Sequence, residues 1–262
     1  MALGWLLREI GWSVVSSSLK SVGLAGATLL VLLSVAESLC DGAALSVIVG
    51  STISTVKVVT VHMAGSFTNM MLPLDSGEFL KMAMLREQLG TTAAVSGVGV
   101  WNYLFKLTRP LVSSLAAVLA IGLGNRSDAR VLSLVCIANA CAFLPFVLIR
   151  WGVRHGGTTA ILEFARRVPL LKNLSQSWFE TTRAVDERLQ NFWQLQRSAY
   201  LKSCLLQMAA RLLGFLALYV TIKSLQLPYT LSDALLVYAS MNVVDYLVAV
   251  LPAKLGPLEG SA

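Results

Sequence analysis

Apolar residues run along this chain in blocks long enough to cross a bilayer, broken by short polar stretches. A spanning helix needs about 20 consecutive apolar residues. Residues 131–149, VLSLVCIANACAFLPFVLI, carry no charge at all and predict the cleanest span. Residues 203–222 predict a second, interrupted only by Arg211. Residues 93–123 form a long run broken by Lys106 and Arg109, and 234–251 are apolar apart from Asp245. The N-terminal part is less regular. Residues 3–19 read as an amphipathic or weakly inserted helix carrying Arg8 and Glu9. Residues 21–36 and 42–56 are apolar but separated by Glu37 and Asp41, which fits one long tilted helix or a broken pair. The pattern predicts an all-α, polytopic transmembrane helix bundle of roughly five to seven spanning or half-spanning segments.

Between 152 and 202 the pattern changes. Arg154, Arg166, Arg167, Lys172, Arg183, Arg188, Arg197 and Lys202 outnumber Glu163, Glu180, Asp186 and Glu187. Leu174, Trp178, Val185, Leu189, Phe192 and Trp193 include three- and four-residue spacings. This predicts an amphipathic helical segment over 152–197, lying at the membrane surface on the cytoplasmic side. The loops at 124–130 and 224–232 then fall on the opposite side.

Composition strengthens the membrane reading. Of 262 residues, 56% are apolar and only 13% charged, against about 25% charged in soluble domains. The net charge of +7 is the excess expected of loops held by the positive-inside rule, not of a nucleic-acid binder. The four cysteines, Cys40, Cys136, Cys141 and Cys204, lie in apolar stretches without a CxxC pair. His62 and His155 lack ligand partners at helical spacing, so no metal site is expected. The N-terminus shows no basic region or cleavage site of a signal peptide. No GxSxG, HExxH, Walker or DxD motif is present, and an enzyme with its own catalytic constellation and a bound cofactor is not expected.

Two segments share an order of residues that is unusual inside apolar surroundings. The first runs Asn69-Met-Met-Leu-Pro73-Leu-Asp-Ser-Gly77-Glu78; the second runs Leu251-Pro252-Ala-Lys-Leu-Gly256-Pro-Leu-Glu259. Each places glycine four residues after the proline and a glutamate within three more. Proline breaks a helix and glycine permits tight backbone. Such breaks survive at membrane depth only where protein or a water cavity satisfies the freed groups. The pair predicts broken or re-entrant helices in two halves, about 20–123 and 131–262, of a single membrane domain covering 1–262.

Ionisable groups inside the apolar runs form a second set: Glu37, Asp41, Lys106, Arg109, Arg211 and Asp245. Each is costly in lipid, so each is expected to face the interior or find a partner. Lys106 and Arg109 share a helix face and fit a phosphate or Asp245; Asn242 and Asp245 share another. The Gly97-Val-Gly99 pair reads as close helix packing.

The segment NMMLPLDSGEFLKMAMLREQLG (69–90) resembles the N-x-x-L-P-x-x-x-G-E-x-x-K/R signature of the lysylphosphatidylglycerol synthase transmembrane-region family, a group of flippase-like integral membrane proteins with hopanoid-associated members. The segment 187–219 is similar to the family's amphipathic helix and following span, and 250–260 to its P-G-x-x-G-x-x-E motif. On this resemblance Asn69, Pro73, Gly77, Glu78, Lys81, Pro252, Gly256 and Glu259 are matching positions, with Ala253 where the family has glycine. The family pattern is expected to extend beyond both ends of this chain.

The resemblance implies handling of a polar-headgroup lipid, phospholipid or hopanoid-related, in a bacterial inner membrane and without a cofactor. Glu78, Asp245 and Glu259 are then expected to receive a cationic headgroup, and Lys81, Lys106 and Arg109 a phosphate. Asn242 would line the same cavity. A non-transporting subunit that scaffolds a lipid-modifying enzyme is the alternative, and a homo-oligomer is compatible with either.

Overall fold

The structure, a computed structural model, describes residues 11–50, 52–71, 76–123 and 196–248, together with Ser133, Ile137, Phe143, Arg183, Glu187 and Asn191. Every element among the described residues is helical. They are α1 (Trp12–Val49), α2 (Thr55–Met71), α3 (Ser76–Leu89), α4 (Thr91–Leu123), α5 (Arg197–Ser224) and α6 (Leu231–Val248). Three contain stretches long and apolar enough to cross a membrane: Lys20–Val49, Thr91–Leu123 and Arg197–Ser224. The all-α membrane bundle read from the sequence is the observed fold class.

The N-terminal region resolves toward one long helix. Glu37 and Asp41 both lie inside α1, so the charges that divided the sequence do not divide the helix. The interruption falls instead at Gly23, with φ 65° and ψ 175°. A Cβ there would meet nothing within 4 Å, so glycine is required by backbone conformation and not by space. Of the two readings of 21–56, the single long helix is the observed one over its described part, ending at Val49, and residues 3–10 of the expected helix 3–19 lie outside the described residues. The first described helical residue is Trp12, and α1 ends at Val49 before Gly50, whose φ of 88° and bond from its N–H to the Ser46 carbonyl (3.0 Å) close the helix. Pro110 lies inside α4, where it removes one helical donor.

The chain divides into two compact units. One contains Asp41–Leu107 and Phe143–Gln207. Its core joins Ala44, Leu45 and Ile48 of α1, Val58 and Val61 of α2, Leu85 of α3, and Val98, Trp101 and Leu104 of α4. The other contains Met1–Cys40, Thr108–Ala142 and Met208–Ala262. There Ala116, Ala117 and Ala120 of α4 pack with Leu235 and Ala239 of α6. These small side chains let the helices approach, and two hydroxyls bridge them. Ser113 Oγ donates to the Ala239 carbonyl (3.0 Å) and Ser232 Oγ to the Ala120 carbonyl (2.8 Å). Of the two sequence glycines read as a packing pair, Gly97 faces Val49, where a Cβ would stand 3.4 Å from the Val49 side chain. Gly99 faces open space, so that reading holds for one position only.

Polarity is distributed inside out. Leu24, Val31, Leu32, Val118, Leu201, Leu205 and Leu212 are exposed, whereas Asp41, His62, Glu78, Lys81, Gln207 and Arg211 are buried. That arrangement suits hydrocarbon outside and satisfied polar groups within.

Most of the amphipathic segment 152–197 and of the uncharged span 131–149 lies outside the described residues. The second Leu-Pro motif, with Pro252, Gly256 and Glu259, lies outside them as well.

A polar latch across a helical hairpin

On either side of the first Leu-Pro motif, α2 and α3 pack as a tight helical hairpin. Its helices are 17 and 14 residues long, about 25 and 21 Å at 1.5 Å per residue. Both fall short of the roughly 30 Å hydrocarbon core. Pro73 sits in the connecting residues 72–75, outside the described residues.

On the two sides of that turn the signature residues bind one another. Asn69 Oδ1 accepts from the Gly77 N–H at 2.6 Å, and Asn69 Nδ2 donates to Glu78 Oε1 at 3.3 Å. Lys81 Nζ donates to the same Glu78 oxygen at 2.7 Å. Asn69 thus closes α2 onto the first turn of α3 through both atoms of its amide. Glu78 also sits where the helix dipole favours negative charge. Its second oxygen, Oε2, is buried and accepts no hydrogen bond among the described residues.

The glycine has a steric reason. A Cβ on Gly77 would overlap the Gly65 carbonyl, and a Cβ on Gly65 would stand 2.6 Å from the Lys81 stem and 2.8 Å from the Gly77 carbonyl. The two helices touch backbone to backbone. This contact admits the Lys81 stem, and Lys81 is only 1% exposed.

Trp101 of α4 completes the enclosure. Its ring lies 4.0 Å from Lys81 Nζ, and its Nε1 donates to the Asp41 carbonyl at 3.1 Å. The Trp101 carbonyl accepts from Gln207 Nε2 at 3.3 Å. His62 meets the indole edge-on with centroids 5.0 Å apart, and its Nε2 lies 3.3 Å from Ser66 Oγ. The ammonium is held between a carboxylate and an aromatic face, the two partners that offset its desolvation best.

Four of the twelve sequence candidates, Asn69, Gly77, Glu78 and Lys81, therefore meet in one place. Glu78 and Lys81 face each other instead of opening separately toward a ligand. Lys106 is half-buried on α4 and belongs to the same unit. Arg109 and Asn242 belong to the other unit, where Asn242 Nδ2 donates to the Tyr238 carbonyl at 2.9 Å. The Asp245 side chain lies outside the described residues.

Gly65, Trp101, His62 and Gln207 escaped the sequence reading. Gly65 carried a usable signal, because it lies one helical turn before Asn69 and so shares its face. Trp101 carried none, being one aromatic in an apolar run.

In the second unit Arg211 Nη1 lies 3.1 Å from Glu37 Oε1. Both were expected to find partners, and they find each other. No curated protein and no solved structure matches this chain. The family model for the lysylphosphatidylglycerol synthase TM region matches residues 1–262, and with the whole chain covered the protein is an integral membrane member of that family.

Proposed function

We propose that this protein binds a polar-headgroup lipid and moves it across a bacterial inner membrane without covalent chemistry. The observation that carries the reading is a cluster of buried charged and amide groups inside a hairpin too short to span, within a chain whose outer face is apolar. Such an arrangement supplies polar shelter at depth while leaving hydrocarbon contacts outside for acyl chains. Each within its own unit, Lys106 and Arg109 are proposed phosphate contacts, and the latch around Glu78 is the polar element that closes the hairpin.

Purified protein in liposomes carrying a headgroup-labelled phospholipid tests this. Bleaching of the inner-leaflet label by an impermeant reductant is expected to exceed that of protein-free liposomes. Equal bleaching rejects translocation.

One observation favours the second reading, a scaffold for a lipid-modifying enzyme. Glu78 and Lys81 neutralise each other in a buried pair, which is the pattern of a structural latch. Absence of scrambling together with co-purification of a lipid-modifying activity would favour it.

A further inference from the structure

The Glu37–Arg211 pair stands apart from the signature motif, and no sequence motif led to it. Each residue lies near the middle of its apolar segment, Lys20–Val49 and Arg197–Ser224. An arginine at that depth is costly and marks a functional position. The burial of the partners is unequal: the Arg211 side chain is 7% exposed, the Glu37 side chain 29%. The guanidinium is the fixed, enclosed member, and the carboxylate covers it from the more open side.

The surroundings enclose the arginine and set the carboxylate against a glycine. Tyr238 donates its hydroxyl to the Arg211 carbonyl at 2.8 Å, and its ring meets Phe215 edge-on at 5.5 Å. One turn along α5, Gly214 presents no side chain; a Cβ there would stand 3.3 Å from both Glu37 oxygens. The carboxylate thus occupies a space bounded by a bare glycine and an enclosed guanidinium.

We propose that this is an anion-exchange site, in which Glu37 is a tethered stand-in for the phosphodiester of a lipid headgroup. The phosphodiester displaces the carboxylate and takes Arg211. Arginine's planar fork suits such an oxyanion, and an exchange between two anions avoids leaving the charge bare. The inference rests on the lipid-headgroup reading above and adds to it the residue that recognises the phosphate and the residue that competes for it. A tethered competitor lowers apparent affinity by the fraction of time it occupies the site.

The test uses the full chain in detergent micelles, titrated with dioctanoyl phosphatidylglycerol and followed by thermal shift. Glu37→Gln removes the competitor, so affinity is expected to rise about tenfold over wild type. Arg211→Gln is expected to lose the response. Dioctanoylglycerol, which lacks phosphate, is expected to give none, and inorganic phosphate at equal concentration a weaker one. Equal or weaker binding by Glu37→Gln overturns the proposal. Retained affinity in Arg211→Gln, or an equal response to dioctanoylglycerol, does the same. An equal response to inorganic phosphate overturns the lipid assignment.

Should Glu37→Gln not fold alone, recovery of its melting transition by phosphatidylglycerol supports the exchange, and no recovery counts against it. Should Arg211→Gln not fold, Arg211→Lys keeps the charge and loses the fork. Reduced affinity in that variant supports the proposal, and unchanged affinity overturns it. The expected affinity pattern without scrambling rejects translocation and leaves the site standing.

Discussion

Gly77 shows how little freedom a single position in this hairpin has. Gly77→Ala drives a methyl into the Gly65 carbonyl, a backbone atom that cannot swing away. We expect a loss of about 1–3 kcal/mol or more, read as a lower melting temperature in detergent. Gly65→Ala meets the enclosed Lys81 stem at 2.6 Å and the Gly77 carbonyl at 2.8 Å, a smaller overlap with backbone, and is expected to cost less. Gly99→Ala meets nothing within 4 Å and is expected to be neutral or stabilising, by up to about 1 kcal/mol of helix propensity. A different ranking would refute the backbone contact. The ion pair beside it gives a second expectation. Lys81→Met strands the buried Glu78 carboxylate and is expected to cost about 3–5 kcal/mol. Adding Glu78→Gln should restore part of that loss, and a double-mutant cycle without coupling would show that the pair contributes nothing.

At the scale of elements, the sequence revealed where spans lie better than where they break. The runs 93–123 and 203–222 correspond closely to α4 and α5, because uninterrupted apolar length leaves a helix as the only satisfied backbone. Glu37 and Asp41 looked like a boundary because charge is expensive in lipid. The helix continues through them because Arg211 receives one, while the other is buried near Trp101. Those partners are distant in sequence, so no local window contains the information. The true break, at Gly23, resembles any other glycine in an apolar run.

The start of α6 is different, since its signal is local. Thr230 and Asp233 cap it reciprocally: Thr230 N–H and Oγ1 donate to Asp233 Oδ2 at 2.8 and 2.6 Å, and the Asp233 N–H donates to Thr230 Oγ1 at 3.2 Å. The side-chain bond from Thr230, then its backbone bond, lowers the Asp233 carboxyl below its ordinary 3.8. A carboxyl depressed in the folded state stabilises above its unfolded value, and that contribution disappears as pH falls through the depressed one. The protection of amides at the start of α6, relative to their intrinsic exchange rate at each pH, should therefore be constant above about pH 5 and fall only below about pH 4. Thr230→Ala should remove about 1 kcal/mol of protection and flatten this pH response. An unchanged acid response in that variant would exclude the cap.

For the molecule as a whole, buried charge and exposed leucine fit a chain embedded in hydrocarbon. A hairpin too short to span is expected to return to the face it entered, with its outer ends on that face. Cysteines replacing the exposed Lys57 and Glu87 should react with an impermeant reagent from the same side of a sealed vesicle. Labelling from opposite sides would mean that only one of α2 and α3 crosses, and would rule out a hairpin that returns to its own face. The motif residues were legible because proline, glycine and glutamate at fixed spacing stand out against apolar sequence. Their mutual contacts were not, since spacing alone does not distinguish a latch from a ligand site.

The backbone contact between Gly65 and Gly77 also bears on how the protein is made. Neither hairpin helix is long enough for the insertion machinery to retain as a separate span, and α3 carries Glu78, Lys81, Arg86 and Glu87 within 14 residues. The two must therefore leave the aqueous channel already paired, with charges neutralised and glycines apposed. Substitutions at these glycines are then defects of biogenesis before they are defects of the finished protein. In growing cells they are expected to lower the amount of the chain in the membrane relative to wild type.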